Sequence, residues 1–393
     1  MIDTAVIGAG IGGLATATLF ARAGLDVTVY EAVEAKTPAG ADFGVSLHPN
    51  GLVVLDALGV LEELAEQGSQ LSRLRLFDEN LRIITDMEPP GDRSGHGPML
   101  VVSSHLLHRL LRRKAEQAGV TIRNGWPLTA TGSDPLSPRM YFEGSEHEAL
   151  LVVGADGVES VVRRHVDEGT EGHRVRRRRY VRAMVNWTLN DNAAGQYWTR
   201  RGVTGLLPCG NGKTYWYATV TAKMQHAADR GDLEGFRRAA AAAHPPVLQV
   251  VRVLESLDHV HISHVRQVVL DRYYNGSFVL LGDAAHAMDP NLGQGANAAL
   301  VDAAVLASEI HRRDHLAEAL AAYDSRRGDA VRRVQSDAAR LARLAHFTYG
   351  RRLRNILVRA APARIVDQVK GRTQQVDLVG LSHELGDLAD KSG

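Results

Sequence analysis

The feature that most constrains this chain lies at its start. Thr4, Ala5, Val6 and Ile7 form a short, largely β-branched run of the kind that makes a strand buried on both faces. Gly8, Ala9, Gly10, Ile11, Gly12 and Gly13 follow without a break. Residues 14–23, rich in Ala and Leu, read as a helix that stops at Gly24, a residue suited to the position just past a helix end. A second β-branched run, residues 26–30, ends in Glu31. The order strand, glycine turn, helix, strand, carboxylate makes a βαβ unit. Gly8 permits the tight turn, Gly10 lets a pyrophosphate approach the backbone, and Gly13 lets helix and strand pack closely, with Gly12 in the same turn. The phosphates then sit on the partial positive charge of the helix N-terminus. Glu31, roughly 20 residues on, is placed for a ribose hydroxyl. The unit reads as a dinucleotide site, and nicotinamide and flavin dinucleotides share it.

Composition narrows the class. A chain of 393 residues suits about two domains, and 45% apolar with 23% charged residues is ordinary globular usage. Lys+Arg 46 against Asp+Glu 45 leaves a net charge of +1, so no global field draws the protein to nucleic acid. One cysteine, Cys209, allows neither an intrachain disulfide nor a thiol pair for metal or redox work. No basic leader precedes Thr4 and no run of about 18 uncharged apolar residues occurs. A cytoplasmic protein without an integral membrane segment is expected.

Further along, residues 40–50 read as a glycine-rich loop, 52–67 as a helix, and 69–102, with Pro89, Pro90 and Gly91, as a hairpin or excursion. Residues 104–118 form an amphipathic helix with Leu106, Leu107, Leu110 and Leu111 on one face. Leu150 to Val153 is a second buried strand. Between 174 and 270, short alternating runs carry most of the tryptophans and read as antiparallel sheet, with one helix at 233–243. Phe278 to Leu281 is a third buried strand, followed by a loop and a long helix at 295–312. Arginine-rich helices at 317–345 and 351–369 are expected to pack against the first domain. The fold class is therefore α/β: a Rossmann-like domain with a mostly parallel sheet from residues 1–70, 100–173 and 271–345, an inserted, mostly antiparallel domain from 71–99 and 174–270, and a C-terminal helical segment, 346–393.

Two more glycine-aspartate stretches follow buried strands. Gly154, Ala155, Asp156 and Gly157 lead to Ser160 and Arg163, and alone an ordinary turn explains them equally well. Gly282, Asp283, Ala284, Ala285 and His286 continue through Pro290 to Asn297. An Asp after a buried strand accepts from a ribitol or ribose hydroxyl. Glycines opening a helix aim bare N–H groups at an anionic acceptor, such as a reduced flavin near N1 and the C2 carbonyl. His286 is expected to brace this loop.

In their order and separation these three stretches resemble the single-component flavoprotein monooxygenases of the p-hydroxybenzoate hydroxylase and salicylate hydroxylase type, over almost the whole chain. The resemblance implies FAD and NADPH or NADH as cofactors, and makes the first domain the FAD-binding domain. It places Gly8, Gly10, Gly12, Gly13 and Glu31 on the ADP part of FAD, and Asp156, Gly157 and Arg163 where FAD and NAD(P)H are both served. Gly282 and Asp283 would bind the ribityl chain, and Pro290, Gly293, Gln294 and Gly295, continued by Ala296 and Asn297, would lie beside the isoalloxazine. The implied reaction is reduction of FAD by NAD(P)H, addition of O2, and transfer of one oxygen from the C4a-hydroperoxide to an aromatic or polycyclic small molecule. Hydroxylation is expected, with epoxidation a variant, in a monomer or homodimer. A reductase resembling the prenyl reductases and a degenerate FAD-binding protein are the alternatives.

Several residues depart from the family pattern or wait on geometry. Ala32 and Ser104 stand where the family usually has Arg, so FAD is held more weakly or another arginine substitutes. Asp289 before Pro290 is unusual and would set a carboxylate near the ring. Asp289, Pro290 and His48 are the catalytic candidates, His48 as a base on the loop expected to face the ring. Trp187, Tyr197, Trp198, Tyr215 and Tyr217, with Trp216, would either wall a substrate pocket or pack in a core. The run Arg174 to Arg182 reads as a solvated strand entrance that could also attract an acidic substrate or NADPH phosphate.

Overall fold

A computed structural model describes residues 3–35, 40–88, 97–167, 174–190, 193–347, 350–360 and 376–390. One sheet positions the site. Its six strands run in the order Tyr274–Asn275, Phe278–Leu280, Leu151–Gly154, Asp3–Ile7, Asp26–Glu31, Thr121–Asn124. All neighbours are parallel except the first pair. The β-branched and leucine runs fall here because both faces are covered, and Val6, Val29, Leu151, Val152, Val279 and Leu280 are fully buried. The strands preceding the three glycine motifs are consecutive neighbours. Ile7, Gly154 and Leu280 form one row across the sheet, so all three turns leave the same edge side by side. That adjacency turns three motifs some 130 residues apart into one place.

The helix after the first turn runs Ile11–Arg22, beginning inside the glycine turn rather than after it. It crosses the Gly295–Arg312 helix, and Gly12 makes the crossing possible: a Cβ there would stand 2.6 Å from Leu281 Cδ1 and 3.1 Å from Ala299 Cβ.

The second sheet has seven strands, in the order Val260–Gln267, Arg174–Asn186, Lys213–Thr219, Gly202–Pro208, Gly195–Thr199, Leu74–Asp78, Ile83–Met87. Its pairings are antiparallel except where Gly195–Thr199 meets Leu74–Asp78. The hairpin expected in residues 69–102 is thus the sheet's outer edge. One face packs on the Leu233–Ala243 helix through Trp216 and Phe236, and the other faces the glycine turns.

Three sequence expectations are corrected. Residues 40–50 are not all loop: Gly44–Leu47 is a strand paired with Leu100–Ser103, and Pro49, at the first turn of a helix where its missing N–H costs nothing, starts Pro49–Ala57. The single helix at 52–67 is two, parted at Gly59, whose φ is +69°. The Arg351–Arg359 helix packs chiefly on the Ile83–Met87 strand of the second sheet and touches only the end of the first domain, where Val358 and Arg354 meet Leu341 and Ala345, and the rest of the helix expected to 369 lies outside the described residues. The Leu378–Asp390 helix does pack against the first domain, on Pro49–Ala57 and Gly295–Arg312. Among the described residues no helix is long and apolar enough to cross a membrane.

Candidate cofactor and substrate site

A cavity of about 740 Å³ opens between the two sheets. On one side its wall is the three glycine turns, with Gly10, Gly12, Gly13, Gly157, Gly282, Asp283, Pro290, Gly293, Gly295 and Ala296 all exposed to it. Gly8 makes the first turn with φ +104°, and any Cβ there would meet the Ala155 carbonyl oxygen at 2.4 Å. A Cβ on Gly13 would stand 2.0 Å from the Gly8 oxygen. Gly10 and Gly295 are different, for a Cβ on either would meet nothing within 4 Å. They leave bare backbone at the N-termini of two long helices, both pointing into one cavity, an arrangement that favours negative charge. Glu31 flanks the first turn. Its Oε2 accepts from Ala9 N–H at 2.7 Å and its Oε1 from Val33 N–H at 2.9 Å.

At the second turn Asp156 Oδ2 accepts from Val161 N–H at 2.7 Å and Val162 N–H at 3.3 Å, whereas Oδ1 is buried without a partner. Burial raises its carboxyl above the usual range, against these hydrogen bonds. Arg163 does not line the cavity, contrary to its expected cofactor contact. Its guanidinium donates to the Ala284 oxygen at 3.0 Å and the Val158 oxygen at 2.7 Å, tying the second turn to the third.

The third turn rests on a buried ionic cluster that sequence reasoning missed. Asp302 Oδ2 accepts from Gly282 N–H at 2.9 Å and contacts His286 Nε2 at 2.5 Å, and its Oδ1 accepts from Arg327 Nε at 2.7 Å. The three side chains have no exposed surface. Burial alone would raise the Asp302 carboxyl, but His286, Arg327 and the Gly282 N–H together hold it well below the usual range. The available signal was a lone Asp inside the apolar run 296–307. His286 braces the loop as expected. Asp283, freed from this cluster, is enclosed by protein yet open to the cavity, with its carboxyl raised by burial and lowered by His286 and Arg182.

The loop beyond is tied to residues 44–50. Asn297 Oδ1 accepts from His48 N–H at 2.8 Å, and its Nδ2 donates to the Ser46 and Gly293 oxygens at 2.9 Å each. Gln294 Oε1 accepts from Asn50 Nδ2 at 3.1 Å. Both residues, expected at the cofactor, lie behind the cavity wall and hold it. The His48 ring lines the cavity, its Nδ1 buried with no hydrogen-bond partner, and burial lowers its pKa to about 4.

The opposite wall comes from the seven-stranded sheet. Trp198, Tyr215 and Tyr217 line the cavity. Trp198 Nε1 donates to Gln196 Oε1 at 2.9 Å, and Gln196 Nε2 to Tyr217 Oη at 3.0 Å. Glycines let the rings lie flat: a Cβ on Gly44 would strike the Tyr215 ring at 2.4 Å, and one on Gly205 the Tyr217 ring at 2.2 Å. For the other three aromatics the core reading holds, by strand alternation at Tyr197 and Trp216. Trp187, Tyr197 and Trp216 belong to the core on the sheet's other face, where Tyr197 stacks on Phe77 with centroids 4.7 Å apart. Asp289 also misses the cavity. Buried, it pairs with Arg178 at 2.7 Å, so its charge is neutralised by the second sheet. Arg178 is thereby a structural partner rather than a solvated residue, and Arg182 lines the cavity with its guanidinium 5.4 Å from the Phe43 ring centroid.

Comparison with known proteins decides the family. Residues 1–338 match the FAD binding domain family. The chain belongs to that family. It is 30% identical to the FAD-dependent urate hydroxylase of Klebsiella pneumoniae over 358 residues, 87% of this chain and 90% of the relative. It is 32% identical to the 3-amino-4-hydroxybenzoate 2-monooxygenase of Streptomyces cremeus over 361 residues, 89% of each. The fold matches the crystal structure of Klebsiella pneumoniae HpxO complexed with FAD and uric acid with a TM-score of 0.81 at 24% identity, covering 96% of this chain and 98% of that one. The protein is an FAD-dependent monooxygenase of this family, and the reductase and degenerate-binder alternatives lose their footing.

The residues present fit FAD by their own chemistry. The open N-terminus at Gly10 suits a diphosphate, that at Gly295 suits the anionic part of a reduced flavin, and the Asp283 carboxylate faces the cavity. At the positions where family arginines are missing, Ser104 Oγ donates to Asp42 Oδ1 at 2.9 Å and Ser103 Oγ to Asp42 Oδ2 at 2.7 Å. Ser103 Oγ caps the helix by accepting from Leu106 N–H at 3.2 Å, and Asp42 Oδ1 also accepts from His105 N–H at 3.2 Å.

Proposed function

We propose that this FAD-dependent monooxygenase hydroxylates a planar, electron-rich aromatic or heteroaromatic ring held against Tyr215, Tyr217 and Trp198. One observation carries the reading: a single cavity has the glycine turns as one wall and these three aromatic side chains as the other. The relatives' names point the same way, since urate, 3-amino-4-hydroxybenzoate and 6-hydroxynicotinate are flat, polar-substituted rings. The chemistry supplied by bound FAD is acceptance of hydride from NADH or NADPH and activation of O2, one atom of which goes to the ring and the other to water.

The chain's own residues orient and enclose. Gly10 and Gly295 present backbone N–H groups to the anionic parts of FAD, and Asp283 accepts from its ribityl hydroxyls. Gln196 donates to Tyr217 Oη, so the tyrosine's own O–H is left to donate to an oxygen or nitrogen on the substrate. His48 is a neutral hydrogen-bonding group. A ring with a pKa of about 4 is too weak a base to take a phenol proton efficiently. Arg182, with no ion-pair partner among the described residues, supplies the positive charge that Ala32 and Ser104 do not. The apolar wall excludes water from the reacting centre.

The test is NAD(P)H oxidation across a panel of phenols, hydroxylated N-heterocycles and indoles, with product mass read for a gain of one oxygen. Stimulated turnover with that gain is expected in air. Anaerobic conversion to a product gaining two hydrogens would replace this reading with a reductase.

A further inference from the structure

One surface concentrates apolar side chains beside residues that line the cavity. Leu353, Ile356 and Leu357 are 62%, 60% and 62% exposed. At i, i+3 and i+4 of the Arg351–Arg359 helix they share a face. Leu344 and Phe347, just before this helix, and Leu81 and Ile83, at the strand beneath it, are exposed as well. The patch is continuous with the site, because Leu344 and Val358 line the cavity while Leu344 also reaches the outer surface. The helix is fixed there by Arg354, which donates to the Ala345 and Phe347 oxygens at 2.9 and 3.0 Å and stacks over Trp198 at 4.6 Å.

The helix itself carries charge of one sign. The helix, Arg-Arg-Leu-Arg-Asn-Ile-Leu-Val-Arg, contains no acid. Arg352, Arg359 and Arg343 are exposed, and Glu79 beneath the helix is shared by Arg351 and Arg200. A second copy docking here about a two-fold axis would set arginine against arginine. A short amphipathic helix with leucines on one side and arginines around it instead suits the interface of a bilayer carrying anionic headgroups. We propose that this face docks peripherally on anionic lipid and that the cavity mouth opens toward the bilayer, so that an apolar substrate enters from the membrane. The docking is independent of the substrate proposed above, and only the entry route rests on it.

The FAD-loaded protein is floated with vesicles of phosphatidylcholine alone or mixed equally with phosphatidylglycerol. Retention on the mixed vesicles is expected, falling about tenfold or more on pure phosphatidylcholine and in high salt, as attraction of several arginines to an anionic surface requires. The triple variant Leu353→Glu/Ile356→Glu/Leu357→Glu alters exposed positions only and should stay yellow and keep turnover of a water-soluble substrate while losing vesicle retention. Failure of the parent protein to float with anionic vesicles overturns the docking, as does equal binding to both vesicle types or undiminished binding by the variant. Sedimentation that shows a dimer lost in the variant, without vesicle binding, assigns the patch to a second copy instead. For the entry route, vesicles should raise turnover of an alkylated ring but not of its water-soluble parent. Equal effects on both would remove the route and leave docking and oxidation standing.

Discussion

At Nδ1 of His48 the interior leaves a ring nitrogen without a hydrogen-bond partner, and a cationic ring, which donates from both nitrogens, is penalised there. The folded pKa of about 4 lies below the ordinary 6.5, so the sign of the stability effect is the reverse of an ion-paired histidine. Above pH 6.5 both folded and unfolded rings are neutral and the contribution is fully present. As pH falls from 6.5 toward 4 the unfolded chain takes up a proton that the folded one refuses, and up to about 3 kcal/mol is lost. We expect His48→Gln to lose less stability than the parent between pH 6.5 and 4.5, measured by urea midpoints. His244, also lowered to about 4 by burial, contributes equally to both proteins. Identical pH slopes would refute the assignment. Asp283 is the complementary case, a carboxyl at the cavity influenced by the charges of His286 and Arg182. Asp283→Ala should purify with little flavin, read as the ratio of 450 nm absorbance (the flavin band) to protein. A fully yellow variant would remove Asp283 from the ribityl chain.

The Gly282–His286 turn and the Gly295–Arg312 and Leu316–Ala345 helices meet at Asp302. Its carboxylate serves three donors, and removing it takes the ion-pair partner from a buried guanidinium and the acceptor from a buried backbone N–H. Asp302→Ala should cost about 3–5 kcal/mol, whereas Asp302→Asn, which keeps an acceptor oxygen, should cost less. Urea unfolding ranks the two, and a loss under 1 kcal/mol for the alanine variant would show that the cluster is not what fixes the turn. This cluster marks the limit of what sequence discloses. The three glycine motifs were legible because glycine's role is local: Gly8 needs a positive φ and Gly13 needs close backbone contact, whatever surrounds them. Asp302 was not legible, because its partners Arg327 and His286 lie on other elements and only packing joins them. The aromatic wall was half legible for the same reason. Alternation says that Trp216 and Tyr217 face opposite ways but not which way is the cavity. The covering of the second sheet by the Leu233–Ala243 helix decides it. Asp289 stood out as unusual, yet its partner Arg178 comes from a strand more than 100 residues away.

The cavity separates two hydrophobic cores, one around the parallel sheet and one on the far face of the seven-stranded sheet, against its helix. The row Ile7, Gly154, Leu280 is paired and buried, so the three turns stay adjacent without a ligand. FAD held on those turns would also touch the 44–48 and 290–297 segments and the cavity face of the seven-stranded sheet. A ligand bound only by the folded protein stabilises it by about 2.7 kcal/mol at a hundredfold excess over Kd, which in a chain of this size corresponds to a Tm rise of a few degrees. Protein stripped of flavin should therefore remain folded, with circular dichroism in the far ultraviolet unchanged, but melt earlier. Because FAD in the cavity would touch both sheets, its loss should also broaden the transition or split it in two, and added FAD should restore a single higher one. A Tm that does not move with FAD at saturating concentration would mean that the cofactor is not held across the junction. If instead the Tm rises while the split remains, FAD rests on the parallel sheet alone and the seven-stranded sheet melts independently of it.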